Sequence, residues 1–329
     1  FRIRYNKRQQ YLSDFFELLL TTGLKQESGQ FFTPVPIAQF IIKSLPIDTL
    51  VNEKIEKGER NNLLPCIIDE KKANNFFNET KKKLKAWQED HFDWATQYVY
   101  GIEKDYRLVK VGKVGCYLHG DGLANVILSD GLANFENTEE YKGLLKKTDA
   151  NFPKENKQFD IVISNPPYSV SAFKTSSRSY YTEKDFDLYD ALTDNSSEIE
   201  CLFIERTKQL LKNGGMAGII LPSSILSNTG IYTKAREIIL QYFEIIGLTE
   251  LGRNTFMATG THTIVLFLRR RNNYDSINFK KAVERFFIDY KDVTLNGVEK
   301  PASNYVAHVW KGITFTDYVT LLKKDPNTA

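Results

Sequence analysis

A chain of 329 residues with 42% hydrophobic and 26% charged side chains has the balance of a protein that folds around a core, which excludes general disorder. Its formal charge of +3 permits nucleic acid as a partner without arguing for it, because neutralising phosphates takes a local cationic patch rather than a global excess. No apolar run reaches the roughly 18 residues of a membrane helix, and no charged stretch followed by an apolar core marks a secretory signal.

In chain order, Gln10 to Leu20 reads as one helix within an N-terminal helical remnant, 1–28, too short for a domain of its own; the main domain is expected over 29–329. Apolar runs of strand length then recur at Leu63 to Asp69, Tyr98 to Asp105, Gly115 to Asp121, Phe159 to Ser164, Met216 to Pro222, Phe243 to Leu251 and His262 to Leu268. Several are apolar almost throughout, the pattern of strands covered on both faces. Between them, Ser197 to Leu211 places Ile199, Leu202, Phe203, Arg206 and Leu210 at helical spacing, with Asn213-Gly214-Gly215 as the stop, and Thr229 to Phe243 repeats the pattern. Strands alternating with helices predict an α/β chain with a doubly wound, mostly parallel, seven-stranded sheet. Glu70 to Gln97, with Lys81, Lys82, Lys83 and Lys85, reads as a polar helix with a solvated face, and Lys174 to Asp187 as a mobile loop. Cys66, Cys116 and Cys201 form no CxxC pair and the four histidines no ligand spacing, so neither disulfides nor a metal site is expected. The three thiols read as buried, in a reducing cytoplasm. A chain running from Phe1 to Ala329 reads as a piece of something longer.

The segment that carries chemistry is Asp160-Ile-Val-Ile-Ser-Asn165-Pro166-Pro167-Tyr168, a buried strand running into two prolines. Prolines cannot continue sheet pairing and each fixes its own φ, so Asn165 and the Pro166 carbonyl are set rigidly at the strand's carboxyl end. Open α/β sheets bind ligands there. Two oxygens beside an aromatic plate suit a flat ring bearing an exocyclic NH2, whose hydrogens they accept while the ring stacks. Glu103, closing the second predicted strand, is placed to take ribose hydroxyls as acids do in dinucleotide-binding folds. Asp121, closing the third, is placed to accept from an amino group.

These motifs resemble the N6-adenine DNA methyltransferases, and most of all the modification subunit of type I restriction-modification systems or the methyltransferase part of a fused restriction-modification enzyme. Asn165-Pro166-Pro167-Tyr168 is similar to that family's catalytic tetrapeptide. Gly29-Gln30-Phe31-Phe32-Thr33-Pro34 is similar to its G-Q-F-[FY]-T-P segment. The resemblance implies a Rossmann-like, S-adenosylmethionine-dependent fold and methyl transfer to an adenine flipped out of double-stranded DNA. Gln30, Phe31, Phe32, Thr33 and Pro34 would close over the methionine end of S-adenosylmethionine, with Asp69, Glu103, Asp121 and Asn165 completing its site. Phe256 and Tyr168 would take the two faces of the base, and Lys174, Arg178 and Lys184 would meet phosphates, as would Arg269-Arg270-Arg271 unless that run is a solvated strand end. Specificity and restriction functions would come from partner subunits or fused domains.

One departure stands out: the family has a glycine-bearing turn after its first strand, whereas Ile67-Ile68-Asp69 runs directly into Glu70-Lys71-Lys72. Either the turn is lost, or a segment is missing from the sequence between Asp69 and Glu70; the absence of any turn chemistry favours the second. Two further readings stay open, a catalytically silent DNA-binding scaffold and a protein-glutamine methyltransferase, the latter opposed by the Gln30 to Pro34 segment.

Overall fold

A computed structural model describes residues 33–47, 49–50, 78, 99–118, 125–134, 138–141, 159–171, 173–177, 181–252, 255–256 and 261–324. In chain order these form helix α1 (Val35–Ser44), strand β1 (Tyr100–Glu103), α2 (Tyr106–Leu118), β2 (Asn125–Leu128), β3 (Phe159–Ser164), α3 (Phe173–Ser177), α4 (Ile199–Leu210) and β4 (Leu211–Pro222). There follow α5 (Ile231–Tyr242), β5 (Phe243–Glu250), β6 (Thr263–Arg270), α6 (Asn273–Asp289), β7 (Thr294–Leu295), β8 (Val298–Glu299), α7 (Pro301–Val309) and α8 (Phe315–Leu322). The expected Gln10–Leu20 helix, the Leu63–Asp69 strand with its junction to Glu70, and the lysine-rich segment apart from residue 78 lie outside the described residues. No helix among the described residues is long and apolar enough to cross a membrane.

The chain is a mixed α/β structure. Strands β1 and β2 pair in parallel, and a four-stranded sheet runs in the order β3-β4-β6-β5. There β3 and β4 are parallel, while β6 is antiparallel to both β4 and β5. The four-stranded sheet is therefore mixed, with β6 reversed between two strands that share a direction. The physical reason is the connection. Only residues 251–262 separate β5 from β6, and antiparallel neighbours can be joined by such a link without a crossover helix.

The period of two along β4 divides its side chains between two cores. Ala217, Ile219 and Leu221 pack with Leu202, Ile204, Ala235, Ile238 and Ile239 of α4 and α5. Met216 and Ile220 face the other way, joining Ile41 and Leu45 beside α1, Val265 and Phe267 of β6, and Tyr168 and Phe256. Helices therefore cover both faces, as the near-continuous apolar strands led us to expect. α1 crosses the sheet at Gly218, where a Cβ would lie only 2.6 Å from Cγ2 of the buried Ile41.

Two sequence expectations fail here for identifiable reasons. Gly115 to Leu118 is not a strand, since α2 runs through Leu118, and 119–121 lie outside the described residues. Asp105 starts that helix, its carboxylate accepting from the Arg107 amide at 2.8 Å and its carbonyl from the Val109 amide at 2.9 Å. The third strand is instead Asn125–Leu128, paired with β1 in the register Glu103↔Leu128. Cys116 accordingly sits half-buried on a helix, whereas Cys201 is buried as expected. Lys174 to Asp187, expected as a mobile loop, carries packed structure in its described residues. It contains α3 and places Tyr181 and Phe186 in the larger core, their rings 5.6 Å apart at 79°. The Asn213-Gly214-Gly215 stop falls inside β4, as a bulge between the pairs Phe159↔Leu211 and Ile161↔Met216, with Gly214 at φ 80°.

Gly218→Ala is expected to lower the unfolding free energy by about 1–3 kcal/mol, because the added methyl drives into Ile41. Adding Ile41→Leu, which removes the branch at Cβ but keeps the volume, should recover part of the loss in urea titrations. An additive or larger loss in the double variant would refute this contact.

Candidate active site

Strand β3 ends at Ser164, and the two prolines that follow leave Asn165 half-buried at its carboxyl end, with Pro166 and Tyr168 buried. The Asn165 amide is held from both sides. Its Nδ2 donates to Oγ1 of Thr33 at 3.0 Å, and its Oδ1 accepts from the Tyr168 hydroxyl at 2.5 Å. Thr33 and Pro34 immediately precede α1, and Pro34 carries the carbonyl that takes the first helical amides, from Ile37 at 2.9 Å and Ala38 at 3.1 Å. The two sequence motifs, 132 positions apart at these residues, therefore meet in one hydrogen bond.

Tyr168 is 6% exposed and Phe256 5% exposed, and both belong to the apolar cluster under α1. The structure thus brings together the two aromatic residues expected at the base, against Leu251 and Phe267. Burial pushes the Tyr168 phenol up, and the nearby Glu200 carboxyl pushes it further in the same direction. The hydroxyl therefore stays protonated and remains a donor to Asn165.

On the neighbouring sheet, Glu103 closes β1 and accepts from the Asp105 amide at 2.8 Å. The carboxylate beyond the end of the adjacent strand is Asp130, which accepts from Lys104 Nζ at 2.8 Å and from the Leu132 amide at 3.0 Å. The Ser129 amide bonds the Glu103 carbonyl at 3.1 Å, so the two acidic residues sit on adjoining strand ends. The sequence reading gave a strand-end acid at Asp121, which lies outside the described residues. The signal for Asp130 was present in Asn125-Val-Ile-Leu128, an apolar run closed by the turn residues Ser129-Asp130-Gly131. Glu200 was also missed. It is fully buried on α4 and bonded to Tyr232, and no local pattern distinguished it from a surface glutamate.

Of the other expected site residues, Gln30, Phe31, Phe32, Asp69, Asp121 and Arg178 lie outside the described residues. Lys174 points its ammonium inward, donating to the Leu192 carbonyl at 2.6 Å and lying 4.7 Å from the Tyr189 ring centre. Lys184 is exposed on a turn whose Thr182 hydroxyl accepts from its amide at 3.3 Å. In the Arg269-Arg270-Arg271 run only Arg269 is exposed, and each of the three has a partner. Arg270 is 1% exposed and stacks 4.9 Å from the Tyr242 ring centre, Arg269 pairs with Glu244 at 3.3 Å, and Arg271 donates to the Phe243 carbonyl at 3.0 Å.

A sequence model of the N-6 DNA methylase family matches residues 7–306, and the chain belongs to that family. It is 26% identical over 213 residues to the type II restriction enzyme and methyltransferase RM.Eco57I of Escherichia coli, covering 57% of this chain and 21% of that one. It is 22% identical over 246 residues to the methylase subunit of the type I restriction enzyme EcoEI of Escherichia coli, covering 74% and 43%. Among solved structures, the type I restriction-modification methyltransferase subunit of Streptococcus thermophilus aligns with a TM-score of 0.40 at 21% identity, over 53% of this chain and 34% of that one. The chain spans less than half the length of these relatives.

Burial raises the carboxyls of Glu200 and Glu205 above the ordinary value of 4.5. A folded state that holds those protons more tightly than the unfolded chain is fully stabilised by them below that value and loses the contribution as pH rises through the folded-state values. Glu200→Gln, which cannot ionise, should therefore gain stability relative to wild type as the pH is raised from 4.5 towards neutrality in urea titrations. A relative gain on acidification would contradict this account.

Proposed function

We propose that this chain transfers a methyl group from S-adenosylmethionine to the N6 amino group of an adenine flipped out of double-stranded DNA, as the methyltransferase of a restriction-modification or phage-defence system. The observation that carries the reading is the Asn165 amide, held at a strand end by Thr33 and Tyr168. For the fold, the proposal is the S-adenosylmethionine-dependent methyltransferase arrangement of seven mostly parallel strands, to which the β1-β2 pair and the four-stranded sheet would contribute six.

The residues present suit the cofactor in their chemistry. Carboxylates on adjoining strand ends are acceptors for ribose hydroxyls, at Glu103, and for an adenine amino group, at Asp130, which takes the role first assigned to Asp121. Gln30 to Pro34 and Asp69 complete this set by family resemblance. When bound, S-adenosylmethionine supplies a methyl group activated by its positively charged sulfur.

The rest falls to the chain's own groups. An adenine amino lone pair is delocalised into the ring and is a poor nucleophile. Asn165 Oδ1 and the Pro166 carbonyl accept its two hydrogens, favouring a pyramidal nitrogen whose lone pair is aimed rather than spread. Oδ1 has two lone pairs, so it can accept from the amino group while the Tyr168 hydroxyl still donates to it, and the Tyr168 ring stacks against one face of the base, with Phe256 at the other. Unstacking the base costs a few kcal/mol, and aromatic stacking returns about 1–3 kcal/mol per base. The protein's contribution is positioning and preorganised hydrogen-bond acceptors, with no covalent enzyme intermediate. By family resemblance Arg178 and the exposed Lys184 suit phosphate contact, whereas Lys174 is tied to the Leu192 carbonyl. Choice of DNA sequence falls to a specificity subunit or a fused domain, a reading supported by matches that cover 21% and 43% of the two restriction-modification relatives.

Asn165→Ala is expected to abolish labelled methyl transfer to DNA, scored as N6-methyladenosine after digestion to nucleosides, while cofactor binding persists. Undiminished transfer would overturn the assignment. Asp130→Asn keeps the bond to the Leu132 amide but loses the charge, so calorimetry should find cofactor affinity roughly 10- to 100-fold weaker, the worth of about 1.5–3 kcal/mol for a charge-assisted hydrogen bond. Absence of any heat with the unaltered protein would favour the silent scaffold instead.

A further inference from the structure

The hydrogen bonds that hold the tetrapeptide continue beyond Tyr168. Ser169, the next residue, has φ 52°, in the left-handed region that a side chain with a Cβ enters only at a cost. Its amide donates to Oε2 of Glu200 at 3.4 Å, and Oε1 of the same carboxyl accepts from the Tyr232 hydroxyl at 2.7 Å. Glu200 lies in the first turn of α4 and Tyr232 in the first turn of α5, so two core helices converge on one turn of backbone. A fully buried carboxyl is expensive wherever it sits. Five residues along α4, Glu205 is explained by its contacts, accepting from the Asp187 amide at 2.7 Å and the Leu188 amide at 3.0 Å. Glu200 applies the same chemistry to the residue that follows the catalytic tetrapeptide.

We propose that Glu200 is a positioning residue for methyl transfer: it holds Ser169 in its left-handed turn, which sets the Tyr168 ring and, through the Tyr168–Asn165 hydrogen bond, the aim of the Asn165 amide. Tyr232 steadies the carboxyl from behind. This inference rests on the methyl-transfer reading, yet it makes a claim about Tyr168 that can be tested apart from activity. Helix capping alone would also place an acid in the first turn of α4, but it would leave Tyr168 indifferent to the loss of the carboxyl once the protein has folded.

The experiment uses the full-length protein with the specificity subunit or domain it works with, and measures methyl transfer per folded molecule. Glu200→Ala should lower kcat by about tenfold to hundredfold, the scale of a misplaced reacting group, with the cofactor KM nearly unchanged. Glu200→Gln, which can accept from Ser169 and bond Tyr232, should restore most of the rate. In parallel, the protein carries 3-fluorotyrosine, with the Tyr168 19F resonance identified by its loss in Tyr168→Phe. That resonance should shift or broaden in Glu200→Ala and return in Glu200→Gln. Where Glu200→Ala does not fold, Tyr232→Phe carries the same two measurements, with a smaller loss expected. An unmoved Tyr168 resonance, or a rate per folded molecule equal to wild type, overturns the proposal. If the unaltered protein transfers no methyl group to adenine, the functional reading fails while the 19F signal still decides the positioning.

Discussion

Everything proposed for this protein depends on a side-chain amide that cannot rotate. A free asparagine at a strand end samples several orientations, and its oxygen would face an incoming amino group only part of the time. Here the nitrogen is committed to Thr33 and the oxygen to Tyr168, so the two ends of the amide are distinguished before any ligand arrives. The prolines at 166 and 167 remove backbone freedom on the same side. The entropy of orienting the acceptor is thereby spent during folding rather than at the reacting step.

That restraint has a long reach through the fold. Thr33 is in place only because α1 lies against the sheet, and α1 approaches as closely as it does because residue 218 has no side chain. On the opposite face, α4 acts as a shared frame. Glu200 reaches the turn after Tyr168, Glu205 fixes the amides of Asp187 and Leu188, and Arg206 donates to the carbonyls of Leu132 and Ala133 at 2.6 and 3.0 Å. The last pair ties α4 to the loop bearing Asp130, the acid assigned to the cofactor. One helix therefore links the proposed target-base and cofactor sides through buried charge, and burial drives the Arg206 guanidinium down to about 10. Buried charges of this kind seldom add net stability over an apolar alternative, so their value is better sought in the geometry they impose.

The pairing of Tyr168 with Asn165 also gives the resting site a donor that resembles the group it is proposed to receive. A phenol hydroxyl and an aromatic amino group both offer a hydrogen to Oδ1, and burial keeps the phenol protonated. The acceptor is satisfied in both states, which avoids leaving a buried polar atom unmet when the site is empty.

Much of this was legible in the residues alone. The alternation of apolar runs with helical spacing located β3, β4, β5, β6, α4 and α5, and the two prolines of the Asn-Pro-Pro-Tyr segment marked the end of β3, because proline restricts the backbone wherever it stands. What failed was local: Gly115 to Leu118 is as apolar as a strand, and nothing within four residues reveals that Asp105 has already started a helix through them. The expected third strand also put its closing acid at Asp121, whereas the acid beyond β2 is Asp130. The reversal of β6, the meeting of Thr33 with Asn165 and the burial of Glu200 and Arg270 were beyond reach for a different reason. Periodicity and turn chemistry act over a few residues and so are written along the chain. Strand direction and the partner of a side chain are set by contacts between distant segments, and these come into being only when the chain packs.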